Sequence, residues 1–265
     1  MRRHCALQRG GHFTVKPIDA IFQGGSACIA PVVVGDPDLS VTFDLALALA
    51  QAGADAIELH LPFSDPTAEG ALLQKGALRA LAGSVTAKDA LALTQKLSGA
   101  GIPIVLRSYA NVVFHYGAAD FAAQAAAAGA CALHLFDVPL EERGEFEPFC
   151  RQQGLALLSS VSTGSVARVA HICRSAQGYL LCEKMPGEPE DALFDLAAFA
   201  SQHCALPLVL EFQQCTPELA ARAAALSASV SLGDAIAALV DAHGAQAASY
   251  AAAHVAHIKA ALRGA

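Results

Sequence analysis

The sequence lacks the features that mark a membrane protein, a zinc-knuckle protein or a nucleic-acid-binding protein. It has no uninterrupted run of eighteen strongly apolar residues, so it predicts no transmembrane helix. Its 8 cysteines form no C-x-x-C pair, which excludes zinc-knuckle and thioredoxin motifs and indicates small buried side chains in a reducing compartment. The formal net charge is −7, and lysine and arginine do not cluster, which predicts no nucleic-acid partner.

The first residues give a similar negative result for secretion. Arg2, Arg3 and Arg9 are not followed by the apolar core of a signal peptide. We therefore expect a cytoplasmic protein.

Short apolar runs alternate with helix-like stretches along the chain, which is typical of repeated β-α units around a parallel sheet. Eight such units predict a single-domain (β/α)8 TIM barrel with its site at the carboxyl ends of the strands. We expect an extension over residues 1–16 and the barrel over 17–265, with an extra helix between the second and third strands because 71–82 and 87–97 are separated by Gly83-Ser84. The predicted strands are 27–34, 56–59, 104–108, 132–136, 156–160, 178–182, 206–212 and 230–232.

The second predicted strand carries the most informative residue, Glu58. It lies in an apolar strand, where burial disfavours the charged form, so we expect a raised pKa suited to proton transfer. The loop that follows carries Glu69, so both carboxyl groups are expected at one cavity. The alternative is that Glu58 pairs with a buried cation and serves only the fold.

The segment 57–70, IELHLPFSDPTAEG, resembles the signature E-L-G-V-P-F-S-D-P-x-A-D-G of the tryptophan synthase alpha subunit family. The resemblance covers about residues 17–265. Five other segments support it: Ile18–Phe22, Gly35-Asp36-Pro37, Tyr109-Ala110-Asn111, Asp137-Val138-Pro139 and Thr216-Pro217-Glu218.

The resemblance implies a carbon–carbon lyase in which Glu58 is the catalytic acid/base and Tyr179 is a pocket tyrosine. The family cleaves indole-3-glycerol phosphate to indole and glyceraldehyde 3-phosphate by retro-aldol chemistry, and no metal or organic cofactor is implied. In the family the P-F-S-D-P loop meets the beta subunit. Phe63, Asp65 and Pro66 are therefore candidate contacts with a beta-like partner.

The predicted barrel interior departs from the family. Residues two apart on a strand point the same way, so His60 accompanies Glu58 where the family has glycine, and Arg107 accompanies Tyr109. His134 also points inward where the family has an apolar side chain. Arg107 either pairs with Glu58 or Glu211 or binds a ligand carboxylate, and His134 is either a core residue or a ligand contact. These residues predict a polar cavity that does not suit a flat indole ring.

The segments that correspond to the family's phosphate loops also differ. The family's S-R-x-G-x-T-G, G-F-G and S-G-S are replaced by segments that begin at Cys182, Glu211 and Leu232. Glu211 and Asp234 would repel a phosphate, while Lys184 either holds an anion or is solvated. Glu69 replaces the family's aspartate, which indicates a different substrate or a lapsed role.

Our main hypothesis is therefore a retro-aldol lyase for a polar, non-phosphorylated small molecule. In it Glu58, Glu69 and Tyr179 are catalytic. The substrate-binding candidates are His60, Arg107, Tyr109, His134, Lys184, Glu211 and Asp234. The alternatives are a genuine alpha subunit acting on indole-3-glycerol phosphate and a non-catalytic barrel that binds a beta-like partner.

Overall fold

The computed structural model describes residues 18–264, and every strand pairing within them is parallel. The predicted extension over residues 1–16 lies outside this range. The strands are β1 (Cys28–Val33), β2 (Ala56–His60), β3 (Ile104–Ser108), β4 (Ala130–Leu135), β5 (Ala156–Leu157), β6 (Ser159–Ser162), β7 (Leu180–Glu183), β8 (Leu208–Glu211) and β9 (Ser229–Ser231).

The sheet order β5-β4-β3-β2-β1-β9-β8-β7-β6 confirms the predicted barrel. Its two end strands, β5 and β6, are consecutive in the chain and separated only by Leu158, so the sheet curls until its ends meet. The prediction of one continuous strand over 156–160 is wrong. The Leu158 N–H donates to Leu133 O at 2.9 Å, but Arg143 donates to the carbonyls of Leu157 and Leu158, and β6 continues the sheet by pairing with β7 instead of β4.

The helices surround this sheet, and the described part of the chain contains no helix long and apolar enough to cross a membrane. The extra helix pair after β2 is confirmed, and Thr86 and Asp89 form a capping box that starts the second of the two. The helices are α1 (Leu39–Gln51), α2 (Ala71–Ala82), α3 (Ala87–Gly99), α4 (Ala110–Tyr116), α5 (Ala118–Ala127), α6 (Glu147–Gln153), α7 (Val169–Cys173), α8 (Glu190–Ser201), α9 (Pro217–Ala225), α10 (Ala235–His243) and α11 (Ala247–Arg263).

The strand register divides the barrel interior into an apolar layer and a charged layer. His60 lies beside Arg107, and Arg107 beside His134, as the alternation of side chains predicted. An apolar cluster that includes Ile29 and Tyr179 fills the amino-terminal end. The charged side chains therefore rest on a packed floor at the carboxyl ends of the strands.

Candidate active site

Arg107 is the centre of the charged layer and is only 3% exposed. Its Nη1 donates to Glu211 Oε2 at 2.7 Å and to Glu58 Oε1 at 3.1 Å, and its Nη2 lies 3.4 Å from Glu183 Oε1. The guanidinium also stacks on Phe136, 4.0 Å from the ring centroid. Of the partners left open by the sequence, Arg107 thus takes both Glu58 and Glu211.

Glu58 is 1% exposed, yet the prediction of a raised pKa is wrong. Burial raises the pKa of Glu58, but the charge of Arg107 and the hydrogen bond from His60 outweigh burial, so the pKa lies well below its usual range. The pairing of Glu58 with a buried cation, the alternative that the sequence left open, is what the structure contains. At rest Glu58 is an ionised carboxylate.

His60 lies between the two carboxylates of the predicted acid pair. Its Nε2 is 2.8 Å from Glu58 Oε1, and its Nδ1 is 3.6 Å from Glu69 Oε1. Burial lowers the pKa of His60, but Glu58 and Glu69 together raise it to about 9. The imidazole is therefore protonated at neutral pH. It is hydrogen-bonded to Glu58 and lies near Glu69 without a hydrogen bond to it within residues 18–264.

A cavity of about 190 Å³, the mouth cavity, opens above this layer. Among its lining residues are Glu69, Arg107, Lys184, Glu211 and Asp234, so five of the predicted site residues meet here. In the described part of the chain, no group of three or more His, Cys, Asp or Glu side chains has the arrangement needed for a metal ion.

Glu183 also lines the mouth cavity and was missed by the sequence analysis. Burial and the charge of Glu211 raise the pKa of Glu183 to about 7. The predicted strand ended at Cys182, one residue too early. Extending it by one residue would have placed Glu183 on the inward face with Leu181.

The last of the loops that correspond to the family's phosphate site uses two of its backbone donors within the protein. Asp234 N donates to Gln213 O at 3.0 Å, and Ala235 N donates to Leu232 O at 3.0 Å. The Asp234 carboxylate faces the mouth cavity, and burial and Glu211 raise its pKa. These groups form a poor cradle for a phosphate.

Lys184 does not neutralise Glu211. Its Nζ donates to Glu188 O at 2.9 Å and lies 3.6 Å from Glu190 Oε1, with a side chain only 10% exposed. The ammonium group is thus held within its own loop, although the residue lines the mouth cavity.

The structure separates the two predicted site tyrosines. Tyr179 is fully buried in the apolar floor, with its ring 5.7 Å from Phe22, and its hydroxyl has no hydrogen-bond partner among residues 18–264. No contact of this hydroxyl within residues 18–264 supports the catalytic role predicted for Tyr179. Tyr109 lies higher, where its hydroxyl accepts a hydrogen bond from Ala68 N at 3.3 Å and its ring packs 5.0 Å from Phe63.

The three candidate partner contacts lie on the loop after β2. Asp65 is exposed, and Phe63 and Pro66 are partly exposed. Phe63 also borders a surface groove of about 740 Å³ with Asn111 and Val112.

The fold and the site define a class. It is a barrel enzyme equipped for acid/base chemistry, because a protonated imidazole and several carboxylates lie at the carboxyl ends of its parallel strands.

The family model for the tryptophan synthase alpha chain matches residues 20–263. The tryptophan synthase alpha chain of Geobacillus stearothermophilus is 37% identical over 213 residues, which cover 77% of this chain and 79% of that one. The alpha chain of Lactiplantibacillus plantarum is 33% identical over 234 residues, 85% of this chain and 89% of that one. The crystal structure of tryptophan synthase subunit alpha from Legionella pneumophila superposes with a TM-score of 0.87 at 29% identity, covering 94% of this chain and 98% of that one.

The chain belongs to the tryptophan synthase alpha chain family, which confirms the resemblance. It is accordingly a carbon–carbon lyase of the aldolase type, as predicted. These relatives favour the alternative of a genuine alpha subunit over the hypothesis of a non-phosphorylated substrate, which they do not confirm.

Proposed function

We propose that this chain cleaves a carbon–carbon bond by retro-aldol chemistry, with Glu58 as the general base and protonated His60 as the general acid. The observation that carries the proposal is the contact of 2.8 Å between Glu58 Oε1 and His60 Nε2. Neither side chain lines the mouth cavity itself, but Glu58 contacts Arg107 and His60 lies 3.6 Å from Glu69, and both of these residues line it. An ionised carboxylate and an imidazolium in contact supply the two proton transfers that a retro-aldol cleavage needs.

The cleavage begins when Glu58 takes the proton of a substrate hydroxyl. The resulting carbonyl forms as the carbon–carbon bond breaks, and the leaving carbon takes a proton from His60. A carboxylate paired with Arg107 is a weak base, so Glu58 becomes stronger when Arg107 moves toward Glu211, with which it already makes the shorter contact of 2.7 Å. Glu69, 3.6 Å from His60 Nδ1, stabilises the imidazolium.

Family membership favours indole-3-glycerol phosphate as the substrate, with indole and glyceraldehyde 3-phosphate as the products. The retained Glu58 and the carboxylate of Glu69 support this assignment. The exposed Asp65, with Phe63 and Pro66, would then contact a tryptophan synthase beta subunit.

The charges at the mouth cavity favour a second candidate, a polar substrate without a phosphate. Arg107 and His60 occupy the barrel interior where the family has apolar side chains and glycine. The carboxylates of Glu211 and Asp234 face the space where a phosphate would be bound, and they would repel it. Polar or cationic substrate groups suit these carboxylates better than an indole ring does.

The experiment that tests the proposal measures indole release from indole-3-glycerol phosphate by the purified chain, with and without a tryptophan synthase beta subunit. Glu58→Gln keeps the shape of the side chain, so we expect its turnover to fall by about 100-fold or more while the far-ultraviolet circular dichroism is unchanged. Glu145→Gln, at an exposed glutamate that does not line the mouth cavity, is the matched control.

Indole release that is lost in Glu58→Gln and retained in Glu145→Gln would support indole-3-glycerol phosphate as the substrate. If the wild-type chain releases no indole under either condition, unphosphorylated β-hydroxy carbonyl compounds are screened by NMR for cleavage. Cleavage that persists in Glu58→Gln would contradict the assigned base.

A further inference from the structure

A second cavity, the seam cavity, lies in the wall of the barrel between β4 and β6. Within residues 18–264, β4 pairs only with β3 and β5, and β6 pairs only with β7, so no ladder closes the wall above Leu158. The cavity has a volume of about 340 Å³. It shares Phe136, Ser162 and Glu183 with the mouth cavity, and the two therefore adjoin.

Arg143 lines the seam cavity as a buried cation that has no carboxylate partner in the described part of the chain. It is 4% exposed, and its Nη1 donates to Ser159 Oγ at 2.7 Å while its Nη2 donates to the carbonyls of Leu157 and Leu158. Burial lowers its pKa, but a guanidinium keeps its charge. Neutral oxygens offset only part of the cost of burying that charge, so an anion beside it would be stabilised.

Further donors face the same space. Arg168 lines it and pairs with Glu141, and Ser160, Ser162 and Ser165 line it as well. The Ser162 hydroxyl donates to Ser165 Oγ and the Ser165 hydroxyl to Ser162 O, so these two hydroxyls would have to rotate to donate to an anion. His134, 2% exposed, has an Nδ1 with no partner among residues 18–264. The imidazole is neutral because burial and Arg107 lower its pKa to about 3, so it adds a polar contact without adding charge.

Two carboxyl groups also line the seam cavity, and neither prevents the cavity from donating hydrogen bonds to an anion. Asp137 is exposed and accepts a hydrogen bond from Ala110 N at 2.8 Å. Glu183 has a pKa of about 7, so near neutral pH a large fraction of its carboxyl groups carries a proton that can be donated to an anion.

We propose that the seam cavity is an oxyanion subsite, in which Arg143, Arg168 and the serine hydroxyls bind the carboxylate or phosphate of a ligand that also occupies the mouth cavity. The identity of that ligand as the lyase substrate rests on the proposed function. The subsite itself is separate from the loops after β7, β8 and β9 that correspond to the family's phosphate site. It gives the charged barrel a place for an anionic group beside the mouth cavity, with which it shares Glu183.

The test is isothermal titration calorimetry of the full chain with inorganic phosphate and, separately, with malonate at constant ionic strength. We expect saturable binding of at least one of the two anions. Arg143→Gln should weaken this binding by about tenfold or more, because a charged hydrogen-bond donor is lost. Arg151→Gln, at an arginine whose side chain is 73% exposed, should leave it unchanged.

A second pair of variants keeps the test decisive if Arg143→Gln does not fold. Arg168→Gln and Glu141→Gln break the same surface salt bridge, but only the first removes a cation from the seam cavity. We expect Arg168→Gln to weaken anion binding severalfold and Glu141→Gln to leave it equal or tighter.

Preference for malonate would assign the subsite to a carboxylate, and preference for phosphate would assign it to a phosphorylated ligand. The inference is overturned if neither anion binds saturably, if Arg143→Gln and Arg168→Gln bind as the wild type does, or if a crystal structure with phosphate places the anion between Gln213 and Asp234. The calorimetric test measures anion binding and does not depend on turnover. If an anion binds but the indole-release and NMR assays detect no lyase activity, the proposed function is refuted and the subsite stands.

Discussion

Arg107→Met is the most informative perturbation of the charged layer, because it removes the cation that Glu58, Glu183 and Glu211 share and keeps most of the side-chain volume. Breaking a buried ion pair by removing one partner typically costs about 3–5 kcal/mol, since an uncompensated buried charge remains. His60 stays in contact with Glu58 at 2.8 Å, so we place the expected loss in unfolding free energy near the lower end, at about 3 kcal/mol at pH 7.

The loss should depend on pH. In the wild-type protein the pKa of Glu58 is lowered in the folded state, so the stabilisation is present above its unfolded pKa and is lost only as the pH falls through the lower folded value. Without Arg107, the same burial that now opposes the cations would raise the pKa of Glu58 toward or above its unfolded value. The variant would then favour the protonated acid, and its deficit should shrink as the pH is lowered from 7 toward 5.

Urea unfolding followed by circular dichroism at pH 7 and pH 5 measures both effects. Arg222→Met is the matched control, because Arg222 also stacks at 4.0 Å on a phenylalanine and pairs with a carboxylate, but its side chain is 51% exposed. We expect the control to lose less than about 1 kcal/mol. In a Glu58→Gln background the loss caused by Arg107→Met should be smaller by about 1–3 kcal/mol. A loss equal to that of the control at both pH values would refute the view that Arg107 holds the carboxylates together.

Three further substitutions test neighbouring features. His60→Gln should lower the unfolding free energy most at pH 6 and least near pH 10. The folded pKa of about 9 gives a stabilisation that is complete below the unfolded pKa of 6.5 and is lost as the pH rises through 9. Equal losses at both pH values in urea titrations would contradict a protonated imidazole. Tyr179→Phe should change the unfolding free energy by less than about 1 kcal/mol or raise it, since the buried hydroxyl has no partner within residues 18–264, whereas a loss of about 2 kcal/mol would reveal one. Gly233→Ala should lower the unfolding free energy by about 2 kcal/mol or more, because φ is +49° and the new Cβ would overlap Phe212 O. Gly144→Ala, with open space at its Cβ, is the control. Equal thermal stability of the two variants would be inconsistent with this geometry.

The barrel could be predicted from sequence because its signals are local and repeated. Most strands are short apolar runs followed by a helix, and the inward direction of His60 and Arg107 follows from the alternation of side chains alone. The break at Leu158 could not be predicted in this way. It depends on Arg143, which lies in a 3-10 turn over Leu140–Glu145 and reaches carbonyls 14 and 15 residues away in the chain.

The protonation states of the site residues could not be predicted from the sequence for a related reason. The pKa of Glu58 depends on whether a cation lies within hydrogen-bond distance, and Arg107 is 49 residues away in the chain. Sequence pattern indicates which side chains enter the interior. It does not indicate that Arg107 contacts Glu58, Glu183 and Glu211 together, because these contacts depend on distances of a few ångströms across the barrel.

The polar residues of the interior are therefore interdependent. None can be replaced alone by the residue of the family pattern without depriving a charged partner of its counter-charge. Replacing His60 by glycine would remove the cation between Glu58 and Glu69. Replacing Arg107 by an apolar residue would leave Glu183 and Glu211 without their shared cation. Burial and the charge of Glu211 raise the pKa of Glu183 to about 7 although Arg107 lowers it, so this carboxyl group is already sensitive to the loss of a neighbouring cation. An apolar pocket would require replacement of the whole set at once, so the charged interior acts as a single unit in stability and in ligand choice.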